Sequence, residues 1–268
     1  GVEFTNTLLS KMHNWTHLSE VGIEETVRDY VWNIPGSILD TIGDSTVCVY
    51  PYKIAIDSVY PELNVVYYPV ATNGEASEWS DRMVADWYAS DKASDYMIID
   101  DETVDGHIKY LENPLTWEAI ESNYTLIGRD DSHCVLMKNE EISNYEHPMK
   151  LIKDENVPMN SDVNVPEGAD YVKIYTDYSL LGKIKKFFYH VGTLYMNIDY
   201  GDGTGTSGRI IRGNLSTGFE LCEYPQNTDE FVEYMLYGPQ KHISTFRIYG
   251  PGTGDLNLDM RLEWYSFE

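Results

Sequence analysis

Four carboxylates, Asp100, Asp101, Glu102 and Asp105, crowd the chain directly after Tyr-Met-Ile-Ile, with His107 close behind. A short apolar run such as Tyr96–Ile99 reads as a buried strand. In open α/β sheets, ligands sit beyond the carboxyl ends of the strands. Carboxylates there can hold a divalent cation through hard oxygen ligands, or serve as acid and base. The loop after the preceding strand carries Thr72, Asn73 and Glu75 and opens on the same edge. Asn73, Asp100, Asp101, Glu102 and Asp105 are therefore the candidate ligand-binding residues. The competing explanation is a solvated loop in a chain that is acidic throughout.

A second cluster, Asp199-Tyr-Gly-Asp202-Gly-Thr-Gly, alternates carboxylates with glycine in the outline of a calcium loop. Asp199 and Asp202 are the candidate metal ligands, and calcium is the one cofactor the pattern admits. The EF-hand spacing is not met, because a third ligand and the closing Glu are missing. A hairpin turn explains the run more simply.

Several enzyme signatures are absent. There is no G-x-S-x-G, no G-x-x-x-x-G-K-[ST], no H-E-x-x-H and no G-x-G-x-x-G after a strand. The His residues are scattered, and Cys48, Cys134 and Cys222 form no C-x-x-C, so no zinc site is signalled. Cys48 and Cys134 fall in apolar runs and read as buried thiols. No catalytic residue is assigned. A glycosidase needs only two carboxylates, which sequence alone cannot pair, so a carbohydrate-active hydrolase stays open.

The formal charge of −25 argues against nucleic acid as a partner, since such a field repels phosphate backbones. It equally disfavours docking on an anionic leaflet. The one basic cluster, Lys183, Lys185 and Lys186, reads as an exposed strand face. No apolar run approaches the roughly 20 residues a spanning helix needs.

The elements that would position these groups fall into two sets. Residues 1–145 read as an α/β unit. Ile23, Val27, Tyr30, Val31 and Ile34 recur at helical spacing up to Pro35, and Ser37 to Ile42 makes a short second turn. Thr46–Tyr50, Asn64–Tyr68 and Tyr96–Ile99 read as parallel strands. A helix over Ser77–Ala89 would bury Trp79, Met83, Val84, Trp87 and Tyr88 as one stripe, and another opens at Pro114. Tyr124–Ile127 and Cys134–Met137 add an antiparallel edge. The fold expected is a small three-layer-like parallel sheet with that edge.

Residues 139–165 are polar and Pro-rich and hold the expected junction, placing a second domain at 146–268. There no strong helix is expected. Strands are read at Tyr171–Thr176, Ile184–His190, Leu194–Tyr200, Arg209–Arg212, Phe219–Tyr224, Phe231–Tyr237, Ile243–Tyr249 and Leu256–Tyr265. In the last, apolar and polar residues alternate. Short strands with regular turns predict an antiparallel, jelly-roll-like β-sandwich.

Particular segments carry a resemblance. They are V-C-V-Y-P ending at Pro51, Y-P-V at Tyr68 to Val70, Asp95 to Gly106, Asn113 to Tyr124, and the strand end at Lys138. The second half adds Tyr178 to Lys183, Gly208 to Arg212, and Ser216 to Leu221. Over roughly residues 45–268 the chain resembles the soluble C-terminal regions of bacterial polytopic membrane proteins, some of which are similar to lipid-linked sugar transferases in their membrane part. The resemblance implies display on the extracytoplasmic face of the bacterial membrane or at the cell surface. It also implies a parent membrane region upstream, in keeping with a first residue that is Gly, and carries over no catalytic motif. The expected function is a non-catalytic accessory domain that contacts a glycan or a protein partner. A hydrolase using paired carboxylates and a structural spacer are the rivals.

Overall fold

A computed structural model describes residues 34–51, 60–66, 77–100, 106–129, 133–188 and 192–268. The helical pattern from Ile23, the turn Asp130-Asp131-Ser132 and most of the two acidic-edge loops lie outside these residues.

The first part is a mixed five-stranded sheet with helices on both faces. Strands β1 (Thr46–Tyr50), β2 (Asn64–Val65) and β3 (Tyr96–Asp100) are parallel, in the order β2-β1-β3. β4 (Tyr124–Arg129) and β5 (His133–Lys138) complete it as the antiparallel edge β5-β4. Successive side chains of a strand point to opposite faces. Val47 and Val49 accordingly meet Ile38 and Ile42 of α1 (Gly36–Ile42), while Cys48 and Tyr50 join the core beneath α2 (Glu78–Tyr88) and α3 (Pro114–Asn123).

Ser77 caps α2 through a reciprocal bond with Ser80. The expected stripe is corrected at one end, for Trp79 is 71% exposed and the buried face is Asp81, Val84, Ala85 and Tyr88. Asp81 is inside because it caps the next helix. Asn113 makes no side-chain cap for α3; the Asp81 carboxylate instead accepts from Leu115 N (3.0 Å), Thr116 N (3.0 Å) and Thr116 Oγ1 (2.7 Å). Burial pushes the Asp81 carboxyl up to about 6 even so.

The second part is two antiparallel four-stranded sheets. One has the order β10-β9-β12-β7, from β7 (Val163–Asn164), β9 (Leu194–Asp199), β10 (Gly205–Ile210) and β12 (Thr245–Tyr249). The other has the order β11-β8-β13-β6, from β6 (Met149–Pro158), β8 (Tyr171–Tyr175), β11 (Phe219–Glu220) and β13 (Asp259–Phe267). Their inner faces meet where Phe246 packs against Phe219 and Trp264.

Two expected strands are helices. Ile184–His190 falls largely in α4 (Leu180–Phe188), and Phe231–Tyr237 is the body of α5 (Thr228–Tyr237). The start of α5 is marked by Asn227, whose side chain accepts from Glu230 N, with Asp229 and Glu230 in the first turn. Conversely, β6 and β7 lie in the stretch read as an irregular junction. β6 is an edge strand whose residues are mostly exposed, so it shows no alternation, yet it pairs with β13 from Met149 to Pro158. In β13, Met260, Leu262 and Trp264 are buried as the alternation requires, but Leu258 precedes the strand and is exposed.

The two parts share one buried cluster. Tyr110 stacks on Tyr224, Trp117 packs against Phe231, and Asn214 Nδ2 donates to the Glu112 carbonyl. Ile108 N donates to Arg209 O, and Arg209 N to Gly106 O, stitching residues 106–108 to β10.

Candidate functional site

The outer face of the β11-β8-β13-β6 sheet carries a cleft of about 710 Å³, within the range of ligand sites. The sheet register builds its floor. Asn156, Arg261 and Tyr175 stand in one row across β6, β13 and β8, since Arg261 is opposite both of the others. Period-two alternation puts these three outward because Leu262 and Ile174 beside them point into the core.

Several of the polar groups are held in place. Arg261 forks onto Asp154 through Nε (3.0 Å) and Nη2 (2.8 Å) and lies 5.4 Å from the Tyr175 ring centre. Tyr175 Oη donates to Glu263 (2.9 Å), which also accepts from Tyr265 (2.7 Å). The tyrosine hydroxyls and Arg261 hold the Glu263 carboxyl below its ordinary range, the Tyr265 bond contributing most. At the far wall, Arg212 donates to the Thr176 carbonyl (2.8 Å) and stacks on Tyr178, its guanidinium carbon 4.3 Å from the ring centre. Thr176 Oγ1, in the cleft lining, is buried with no hydrogen-bond partner in the protein.

The lining thus mixes donors and acceptors. Asn156, Asn257 and Ser216 offer both, Arg212 and Arg261 donate, and Asp177 and Asp259 accept. A ligand dense in hydroxyl groups matches such a surface, because each hydroxyl both donates and accepts.

A second place gathers carboxyls. Glu118 and Glu121 of α3 and Glu220 of β11 border a cavity with Tyr110, Tyr224 and Tyr234. Burial raises all three carboxyls, that of Glu121 up to about 8, with the Glu220 charge adding to it. Raised carboxyls suit general-acid chemistry. The cavity, however, has only about 20 Å³ of room, enough for about one water and not for a sugar ring.

Of the residues singled out by sequence, Asn73, Asp101, Glu102 and Asp105 lie outside the described residues. Asp100 ends β3 opposite His133. His107 pairs with Glu112. Asp199 and Asp202 flank the hairpin turn between β9 and β10. Asp199 accepts from Gly201 N (2.6 Å), while Asp202 accepts from Thr204 N (2.8 Å) and pairs with Lys241 (3.2 Å). These bonds, led by those from Thr204, lower the Asp202 carboxyl to about 2. No group of three or more potential metal ligands occurs among the described residues.

The cleft itself was not legible in advance. Its members sit on the polar positions of β13 and β8, which alternation marks only as facing away from the core. No family model, curated protein or solved structure matches the chain.

Proposed function

We propose that this chain is a non-catalytic, extracytoplasmic binding module of a bacterial membrane protein, and that it takes a carbohydrate in the outer cleft of the β11-β8-β13-β6 sheet. One observation carries the carbohydrate reading: a ligand-sized cleft lined by interleaved donors and acceptors, among them Asn156, Ser216, Asn257, Arg261, Asp177 and Asp259. The chain also alternates between its two antiparallel sheets in a way that two Greek keys produce, which supports a jelly-roll architecture. No described helix is long and apolar enough to cross a membrane. The link to a membrane protein rests on the sequence resemblance.

A glycan array followed by isothermal titration tests the reading. Binding without turnover is expected, and Asn257→Ala should weaken it by roughly tenfold, the loss of about one hydrogen bond. Because Asn257 is an exposed cleft residue, the variant should fold as well as the parent. No binding to any glycan, or binding indifferent to Asn257→Ala and Asn156→Ala, would overturn it. Release of reducing ends from a bound glycan would favour the hydrolase instead.

A further inference from the structure

Helix α4 is amphipathic in the inverted sense. A helix on a globular protein normally turns its apolar stripe to the core. In α4, Leu180, Leu181, Ile184, Phe187 and Phe188 are 51% to 82% exposed, and the one buried residue is Gly182. At about 100° per residue these five apolar side chains share one stripe, with Gly182 nearly opposite.

The fold holds the helix in this orientation. A Cβ on Gly182 would lie 1.8 Å from the Asp255 carbonyl oxygen, so only glycine permits the approach. Asp255 accepts from Lys185 Nζ (2.8 Å) and Gly192 N (2.9 Å), and its carbonyl accepts from Ser179 N (3.0 Å). Ser179 Oγ in turn accepts from Gly182 N (3.0 Å). The back of the helix is therefore pinned by polar bonds, and its apolar side is the one presented outward.

Charge identifies what meets that side. The chain carries −25 overall, yet no Asp or Glu lies between Tyr178 and Leu194, while Lys183, Lys185 and Lys186 do. Arg212 adds a fourth cation against Tyr178, beside which Lys186 Nζ also sits at 5.1 Å. Lys183 flanks the stripe on one side, and Lys185, paired with Asp255, on the other. Aromatic and aliphatic residues framed by lysines are the pattern of a helix lying in a lipid interface. The net negative charge opposes this, and screening at physiological salt, with a Debye length of about 8 Å, reduces the opposition.

We infer that α4 docks the protein on an anionic lipid bilayer, with Leu180, Leu181, Ile184, Phe187 and Phe188 in the acyl boundary and Lys183 at the headgroups. The lysine cluster, expected on an exposed strand face, lies on this helix, and the inference runs against the expectation from net charge that docking on an anionic leaflet is disfavoured. It rests on α4 alone and holds whether or not the cleft binds a glycan.

The test is flotation of the 268-residue chain with vesicles of phosphatidylglycerol and phosphatidylcholine, against vesicles of phosphatidylcholine alone. Partitioning onto the anionic vesicles is expected to be at least tenfold stronger. Phe187→Ser with Phe188→Ser should abolish it at an unchanged melting temperature, since both rings are exposed. Lys183→Glu should weaken it. Partitioning no better than background would overturn the inference. So would binding unaffected by the serine variant, or self-association through α4 that the serine variant removes without any lipid binding.

Discussion

Glu121→Gln should stabilise the protein, and more so as the pH rises. In the folded chain the Glu121 carboxyl is pushed from its ordinary 4.5 up to about 8, chiefly by burial. A carboxyl raised in this way binds a proton in the folded state, between those two values, that the unfolded chain does not bind. Stability therefore rises as the pH falls from about 8 towards 4.5, and the full cost of the buried charge is present above about 8. Every tenfold change in proton affinity corresponds to about 1.4 kcal/mol, which sets a ceiling of about 5 kcal/mol. The adjoining cavity has about 20 Å³ of room, and a water there would solvate part of the charge, so about 1–3 kcal/mol is the expected gain. The amide oxygen of Gln can still accept from Tyr234 Oη, which lies 3.0 Å from the carboxylate, so no partner is orphaned. Urea unfolding of both proteins at pH 5, 7 and 9, followed by tryptophan fluorescence, reads the difference directly. The variant should match the parent near pH 5 and exceed it at pH 9. A gap that fails to open with pH, or a variant less stable at pH 9, would refute burial as the cause.

Asp81→Ala should cost roughly 1–3 kcal/mol in the same assay at pH 7, because Leu115 N and Thr116 N lose their acceptor. Asp81→Asn, which keeps one acceptor oxygen, should lose less. Gly182→Ala should lower the melting temperature by several degrees, its methyl meeting the Asp255 carbonyl oxygen at 1.8 Å; an unchanged melting temperature would mean that α4 is not pinned as described. Millimolar calcium should leave the melting temperature unmoved, since the Asp199 and Asp202 carboxylates are engaged by Gly201 N, Thr204 N and Lys241. A rise of several degrees would restore the calcium loop.

The legible parts of the fold were those where burial imposes a period on the sequence. Strand β1 is apolar from Val47 to Tyr50 because helices cover both faces, and Tyr96–Ile99 reads the same way. Met260, Leu262 and Trp264 alternate because one face of β13 is core. The misreadings fall where exposure removes the period. β6 is an edge strand with little to bury, so its residues carry no signal beyond the pairing with β13. α4 has a strong helical period, but its stripe faces outward, and Leu-Leu-Gly-Lys-Ile-Lys-Lys-Phe-Phe can be taken for a strand when an all-β half is assumed. The cleft depended on register. That Arg261 faces both Tyr175 and Asn156 follows from the pairing of three distant segments, which no local pattern encodes.

Three of the segments that carried the sequence resemblance come together in space. Tyr178 to Lys183 enters α4, Gly208 to Arg212 closes β10 and supplies the cleft's far wall, and Ser216 lines the cleft just ahead of Phe219. Arg212 is the hinge of this arrangement. Its guanidinium stacks on Tyr178 at the entrance to α4 while Arg212 itself lines the cleft. A helix lying in the headgroup layer would therefore hold the cleft beside the lipid surface and not far above it.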